Sequence, residues 1–317
     1  MLLRRRWIQG AAAATAALAC GVRSQPTLAA GESVLEEAES AYNHIVVTER
    51  GTVRTMYFVV DGTYYIESRL DRGYAESLDL DYTRTMMAGF LVKPDVKRFL
   101  MIGFGGGQIS NYLFKRFEGI EIDAVDIDPE VIRLARKYFE VPESPRYRTH
   151  AADGRLFVEQ AKGQTWDLVL LDAFRGVFVP MHLKTAEYYT ALREHLTPDG
   201  VVAANLHSRT DKYPSDRNTF ASVFQQQYAF RSENQRQTCF VAGPGQDPVS
   251  VYALRRRARE LQPKFDFDML GLAARLHLSR DWNPTAPVLH DDFEQSEAGA
   301  QRHNKRCEGD DCPYSTQ

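Results

Sequence analysis

At 317 residues, 44% hydrophobic and 26% charged, the chain has the composition of a water-soluble globular protein with room for one large domain and an appendage. No apolar run is long enough to form a resident membrane span. The formal net charge of −3 offers no basic field for a nucleic-acid partner.

Residues 1–30 contain no acid, and Arg4, Arg5 and Arg6 precede an Ala-rich stretch from Gly10 to Ala19, the layout of an export signal. Arg4-Arg-Arg-Trp-Ile-Gln9 is similar to the twin-arginine pattern that carries folded proteins, so the expected location is periplasmic. Cleavage after Thr27-Leu-Ala29 would remove four arginines and no acid, taking the charge to −7. Two alternatives stand beside this one: Ala17-Leu-Ala-Cys20 is a partial lipoprotein box with lipidation at Cys20, and a misplaced start codon would leave the protein cytoplasmic.

Between Tyr42 and Leu70, short alternating runs (His44 to Thr48, Val53 to Val60, Thr63 to Ile66) are separated by Arg50-Gly51 and Asp61-Gly62, which predicts a small antiparallel β unit over 31–80. From Lys97 the pattern changes to alternating strands and amphipathic helices. Strands are expected at 98–103, 121–126, 146–151, 167–172 and 200–205, and helices near 107–117, 129–139, 154–162, 184–196 and 216–227. Repeated β-α-β units of this kind make an α/β fold, a doubly wound, mostly parallel Rossmann-like sheet, here assigned to 81–280. Gln237 to Gly243 and Val249 to Leu254 are expected as late antiparallel strands, with Cys239 a core residue of the first and Arg255-Arg-Arg257 a solvated helix face. Residues 281–317 form a polar tail, loose from Glu294 onward, in which Cys307 and Cys312 would close a small loop if they paired.

The richest segment is Phe99-Leu-Met-Ile-Gly-Phe-Gly-Gly-Gly107. A buried strand ending in clustered glycines turns into a helix whose free N–H groups leave room for a ligand, which makes Gly103, Gly105 and Gly107 cofactor-binding candidates. About twenty residues on, Asp126 stands at the tip of the next strand, where its two oxygens can accept from both hydroxyls of a ribose. Asp153-Gly154 at the third tip supplies an acceptor for a purine amine, and Asp172, after Trp166-Asp-Leu-Val-Leu-Leu171, sits beside the reacting end of the same ligand. His150 and His182 are scattered histidines, and Tyr188 and Tyr189, at helical spacing with Leu192 and Leu196, are expected in the core.

Asp126-Ile-Asp-Pro-Glu-Val-Ile, Asp153-Gly, Leu171-Asp-Ala-Phe and Glu187-Tyr-Tyr through Pro198-Asp-Gly-Val-Val resemble the spermidine synthase (polyamine aminopropyltransferase) family, over about Tyr42 to His207. The resemblance is strongest to a divergent bacterial branch with a Gly-x-Gly-Gly-Gly loop, a Val-Pro-x-His-Leu-x-Thr segment (Val179 to Thr185) and a late Asp-Asp element (Leu289-His-Asp-Asp292). It implies transfer of an aminopropyl group from decarboxylated S-adenosylmethionine to an amine or polyamine, without a metal. Displacement at a carbon bonded to a sulfonium needs aligned partners and a neutral amine, and an alkylamine has a pKa of about 10, so a carboxylate must take its proton. Asp172 is the candidate base, and the resemblance implies that Tyr82 lines the amine channel.

Four positions depart from the family pattern. Gly106 stands where the family's loop has an aspartate that grips the aminopropyl ammonium, and Arg175 replaces a second acid three residues after the base, at the substrate end. Thr83 replaces an amide, and Asn43 takes the place of a cofactor-binding glutamine in the early hairpin. Two further functions follow. Without the loop acid, and with Arg175 to attract a carboxylate, intact S-adenosylmethionine would suit a methyltransferase; an exported protein that keeps only the nucleoside pocket would be a non-catalytic binder. A homodimer is compatible with the sequence, and no metal ligand set is evident.

Overall fold

The computed structural model describes residues 31–174, 179–245, 248–278 and 282–292. The export segment with Cys20, Arg175, Cys307, Cys312 and the chain from Glu294 onward lie outside the described residues.

The alternating runs of the N-terminal unit form a four-stranded antiparallel meander, β1 (Ser33–Glu39), β2 (His44–Arg50), β3 (Val53–Val60) and β4 (Thr63–Asp71), in that spatial order. Gly51 and Gly62 turn two of its corners at φ +61° and +78°, where a side chain would be strained. The sheet buries Ile45, Val47, Met56, Phe58 and Leu70. The Glu36 carboxylate of β1, 2.7 Å from Arg133 and from Lys137, ties it to the neighbouring helix and is held down to about 2 by those bonds and the Tyr138 hydroxyl. In β4, Ser68 pairs with Met56 and Ile66 with Tyr57, so Glu67 has no partner and forms a β-bulge.

Two short helices, α1 (Asp81–Met86) and α2 (Ala88–Val92), lead into the second sheet. Its first parallel units are β5 (Arg98–Ile102), α3 (Gln108–Arg116), β6 (Glu121–Asp126), α4 (Pro129–Tyr138), β7 (Tyr147–Ala151) and α5 (Gly154–Gln160). There follow β8 (Trp166–Leu171), α6 (Ala186–Glu194), β9 (Leu196–His207), α7 (Tyr213–Val223), β10 (Gln226–Arg231), β11 (Gln237–Gly243), α8 (Val251–Leu261), α9 (Met269–Ala274) and β12 (Leu276–His277). The spatial order is β12-β10-β11-β9-β8-β5-β6-β7, with β7 through β9 parallel and β11 antiparallel to both neighbours.

Successive side chains of β5 feed opposite layers. Phe99 and Met101 join the core beneath α2, α3 and α8, while Leu100 and Ile102 join Trp166, Tyr188, Tyr189 and Phe220 beneath α5 to α7. A strand covered on both faces reads as a continuous apolar run, which is why Phe-Leu-Met-Ile was legible. Tyr188 and Tyr189 are buried, and Cys239 is a buried free thiol on β11, as expected.

The segment from Val249 to Leu254 is a correction. It runs into the first turn of α8, which begins at Val251 and is capped by Ser250 accepting from the Ala253 amide; Leu254, Ala258 and Leu261 are the helix's buried face. A short apolar run cannot separate a strand from a buried helix, and the helical spacing only emerges further on. Arg255 and Arg256 are solvated, whereas Arg257 donates to the Leu91 and Val92 carbonyls at the end of α2. The described part of the C-terminal segment is docked: Arg217 lies over the Trp282 ring, Leu289 is buried, and Arg155 grips Asp291 through two bonds of 2.7 and 2.6 Å. Among the described residues no helix is long and apolar enough to cross a membrane.

Candidate active site

The chain leaves β5 for β6 and β7 on one side, then returns to place β8 on the other. Such a reversal opens a crevice at the carboxyl ends of the two central strands. A narrow cleft lies there, lined by Glu67, Ser68, Tyr82, Gly103, Gly105, Gln108, Asp172 and their neighbours.

The glycine loop forms its wall. Gly103 at φ +91° needs the left-handed region, and a Cβ there would stand 2.4 Å from the Asp172 carbonyl oxygen. That close approach, with the Asp172 amide bonded to the Ile102 carbonyl at 2.8 Å, sets the tips of β5 and β8 side by side. Gly105 (φ +53°) would meet Ser68 Oγ and Glu67 Oε1 at 3.1 and 3.2 Å. Gly106 donates its N–H to Ser68 Oγ at 2.8 Å, and a Cβ on it would lie 2.7 Å from Ser68 Cβ. Gly107 starts α3, against the Phe104 ring.

Asp126 is fixed by this loop: its Oδ2 accepts from the Phe104 and Gly105 amides at 3.0 and 3.2 Å, and its Oδ1 from the Asp128 amide at 3.0 Å. Burial outweighs those bonds and raises the carboxyl to about 6. A carboxylate has lone pairs beyond these three, which leaves acceptor capacity for ligand hydroxyls. Asp172 accepts from Asn205 Nδ2 at 2.9 Å and from the Tyr82 hydroxyl, while burial pushes it up to about 7. A carboxyl poised near neutrality is suited to taking a proton.

Asp153, Gly154 and Asn43 are not among the residues that line the cleft. Asp153 caps α5, accepting from the Arg155 and Leu156 amides, and its other oxygen lies 2.8 Å from His182 Nε2. Gly154 is required by packing, since a Cβ there would fall 2.5 Å from Ile102 Cγ2. Asn43 does not line the cleft: it donates to Asp128 Oδ2 at 2.9 Å beside Ser40 at 2.5 Å, pinning the β2 edge to the cap of α4. Thr83 donates to the Leu80 carbonyl in its own helix. Arg175 lies outside the described residues. Glu67 was missed by reasoning from sequence; it lines the cleft, and burial together with the nearby Asp172 and Asp126 charges lifts its carboxyl well above the usual range. Among the described residues no group of three or more His, Cys, Asp or Glu side chains is placed to hold a metal ion.

A glycine loop at the switch point and acids on the next strand tips define a Rossmann-like fold of the type shared with methyltransferases. Residues 81–226 match the spermine/spermidine synthase domain. A polyamine aminopropyltransferase of Vibrio vulnificus is 30% identical over 87% of this chain and 94% of its own length, and one of Chromobacterium violaceum is 30% identical over 75% and 91%. The chain belongs to the spermine/spermidine synthase family, a family of transferases. Among solved structures, a probable spermidine synthase from Corynebacterium glutamicum superposes with a TM-score of 0.61 (19% identity, 80% of this chain and 98% of that one). A spermidine synthase in complex with the transition-state analogue AdoDATO gives 0.58 (21%, 78% and 84%). Human methyltransferase-like protein 13 in complex with SAH gives 0.53 (21%, 65% and 97%), which speaks for a common fold.

Proposed function

We propose that the protein transfers an aminopropyl group from decarboxylated S-adenosylmethionine to a small-molecule amine. The observation that carries this reading is Asp172, held by Asn205 and Tyr82 at the mouth of β8 with its carboxyl pushed up to about 7, in the same cleft as the glycine loop.

Asp126 would hold the ribose, with loop amides fixing its orientation. The amine nitrogen attacks the methylene bonded to sulfur. The C–N bond forms as the C–S bond breaks, the bonding pair returns to sulfur, and neutral methylthioadenosine leaves. Asp172 takes the proton lost by the nitrogen, and Tyr82 orients that carboxylate. The sulfonium is already a good leaving group, so alignment and proton removal are what the protein must supply. The cleft lining among the described residues holds two carboxyls and no lysine, arginine or histidine, which favours a ligand tail bearing an ammonium over one bearing a carboxylate.

The test is incubation of the purified protein with decarboxylated S-adenosylmethionine and a series of diamines, following methylthioadenosine release. Amine-dependent release is the expected result, whereas release of S-adenosylhomocysteine from intact S-adenosylmethionine would mark a methyltransferase. Binding of methylthioadenosine without turnover would mark the non-catalytic binder. We also propose export through the segment around Arg4 to Arg6; fractionation of cells carrying the full chain, with Arg4 and Arg5 replaced by lysine as the control, tests it.

A further inference from the structure

We propose that Glu67, delivered by the bulge in β4, is the group that binds the ammonium of the aminopropyl tail and so selects the decarboxylated cosubstrate. This rests on the transfer reading above and assigns a residue that lies outside the matched domain at 81–226.

The backbone supplies the first argument. In a regular strand, Glu67 and Ser68 would point to opposite faces of the sheet. The unpaired residue between the Met56–Ser68 and Tyr57–Ile66 pairs breaks that alternation, and both side chains end against the glycine loop: Ser68 Oγ takes the Gly106 amide, and Glu67 Oε1 lies 3.2 Å from the place a Gly105 Cβ would occupy. Bulges beside sites commonly re-aim a side chain in this way.

The chemistry supplies the second. Glu67 makes no hydrogen bond or ion pair with any described residue, yet it is partly buried on the cleft lining and shares electrostatic range with Asp172 and Asp126. A carboxyl in such a place costs stability unless a cation meets it. In the same lining the Gln108 amide nitrogen is shut off from solvent and has no hydrogen-bond partner among the described residues, so it offers a neutral donor to a ligand in the cleft.

The space supplies the third. An acid on the loop at position 106 is excluded, because its Cβ would collide with Ser68 at 2.7 Å and with the Phe139 ring at 3.0 Å. The charge therefore has to come from the opposite wall, and Glu67 is the acid that this wall offers. Asp126 is occupied with loop amides at the nucleoside end, and Asp172 with Asn205 and Tyr82 at the reacting end. The ammonium falls between them, against Glu67, and a carboxylate in its place would face three acids.

Calorimetric titration of the full chain and its Glu67→Gln and Glu67→Asp variants separates the outcomes. The probes are decarboxylated S-adenosylmethionine, intact S-adenosylmethionine and methylthioadenosine, which lacks the tail. Glu67→Gln is expected to weaken the decarboxylated ligand about 10- to 100-fold, the range for a hydrogen bond to a charged group, with methylthioadenosine unchanged within twofold. Its preference for the decarboxylated over the intact form should shrink accordingly, and Glu67→Asp should restore part of it. An unchanged affinity for the decarboxylated form, or a parallel loss for methylthioadenosine, overturns the assignment while leaving the transfer reading standing. A parent protein that binds none of the three overturns both.

Discussion

Replacing Asp172 by asparagine should abolish catalysis and, at the same time, stabilise the unliganded protein at alkaline pH. Burial lifts this carboxyl from 3.8 to about 7. At 1.36 kcal/mol per unit the shift corresponds to at most about 4 kcal/mol, or about 1–3 kcal/mol after allowance for solvent at the cleft mouth. Because the folded pKa is raised, the folded protein keeps a proton that the unfolded chain releases, and stability falls as pH climbs from about 4 through about 7. Asparagine has no such proton, and its amide oxygen can still accept from Asn205 Nδ2, now 2.9 Å from the carboxylate. The gain should therefore be present at pH 8 and absent near pH 4. Activity of the parent protein should rise with pH through about 7 as the base ionises, and the variant should lose about 10²- to 10⁴-fold in rate. Thermal denaturation at the two pH values, alongside methylthioadenosine release across the pH range, checks both limbs. A variant that keeps more than a tenth of the activity, or whose melting temperature falls equally at both pH values, would refute the reasoning.

Gly103→Ala should cost about 2–4 kcal/mol in urea denaturation and remove ligand binding, because it combines a left-handed backbone with a contact of 2.4 Å to the Asp172 carbonyl. Gly106→Asp should lose stability by about 1–3 kcal/mol and gain no affinity for the decarboxylated cosubstrate, while the double variant with Ser68→Gly recovers part of the melting temperature by removing the colliding Cβ. Asn43→Ala should cost about 1–2 kcal/mol through its lost bond to Asp128 and leave the methylthioadenosine Kd unchanged within twofold. A large change in that Kd would move Asn43 into the binding machinery.

The parts of the site legible in the sequence are those whose signal is local. Phe99 to Gly107 is a buried strand followed by glycines that the backbone needs, Asp172 ends the apolar run Leu168 to Leu171, and Asp126 is found by its spacing of about twenty residues from the glycines, since Asp123 interrupts the apolar positions of its strand. Asp153 was equally visible, but an acid ahead of a helix is also its natural cap, and only the structure shows its oxygens already engaged by the Arg155 and Leu156 amides and His182. Glu67 was hidden for a different reason. Within Tyr-Tyr-Ile-Glu-Ser-Arg a regular alternation treats it as an ordinary hairpin residue, and nothing local announces the bulge or the contact with a loop 38 residues away. Strand β1 escaped notice because Val-Leu-Glu-Glu-Ala-Glu has little of the β-branched and aromatic character by which strands are found; it is held by pairing to β2 and by Glu36. At α1 and α2 the helical turns are too short to show a period.

On the assignment proposed for Glu67, the bulge in β4 would divide the ligand between two layers that meet at the glycine loop. The doubly wound sheet would determine what nucleoside is accepted, and the meander what is attached to it. A one-residue deletion at position 67 would restore the strand's regular alternation and leave every glycine and strand-tip acid of the other layer in place. On that assignment, preference for the tail would be rewritten in a hairpin of a few dozen residues with the other layer left intact, which makes this small sheet the natural place to graft a new specificity.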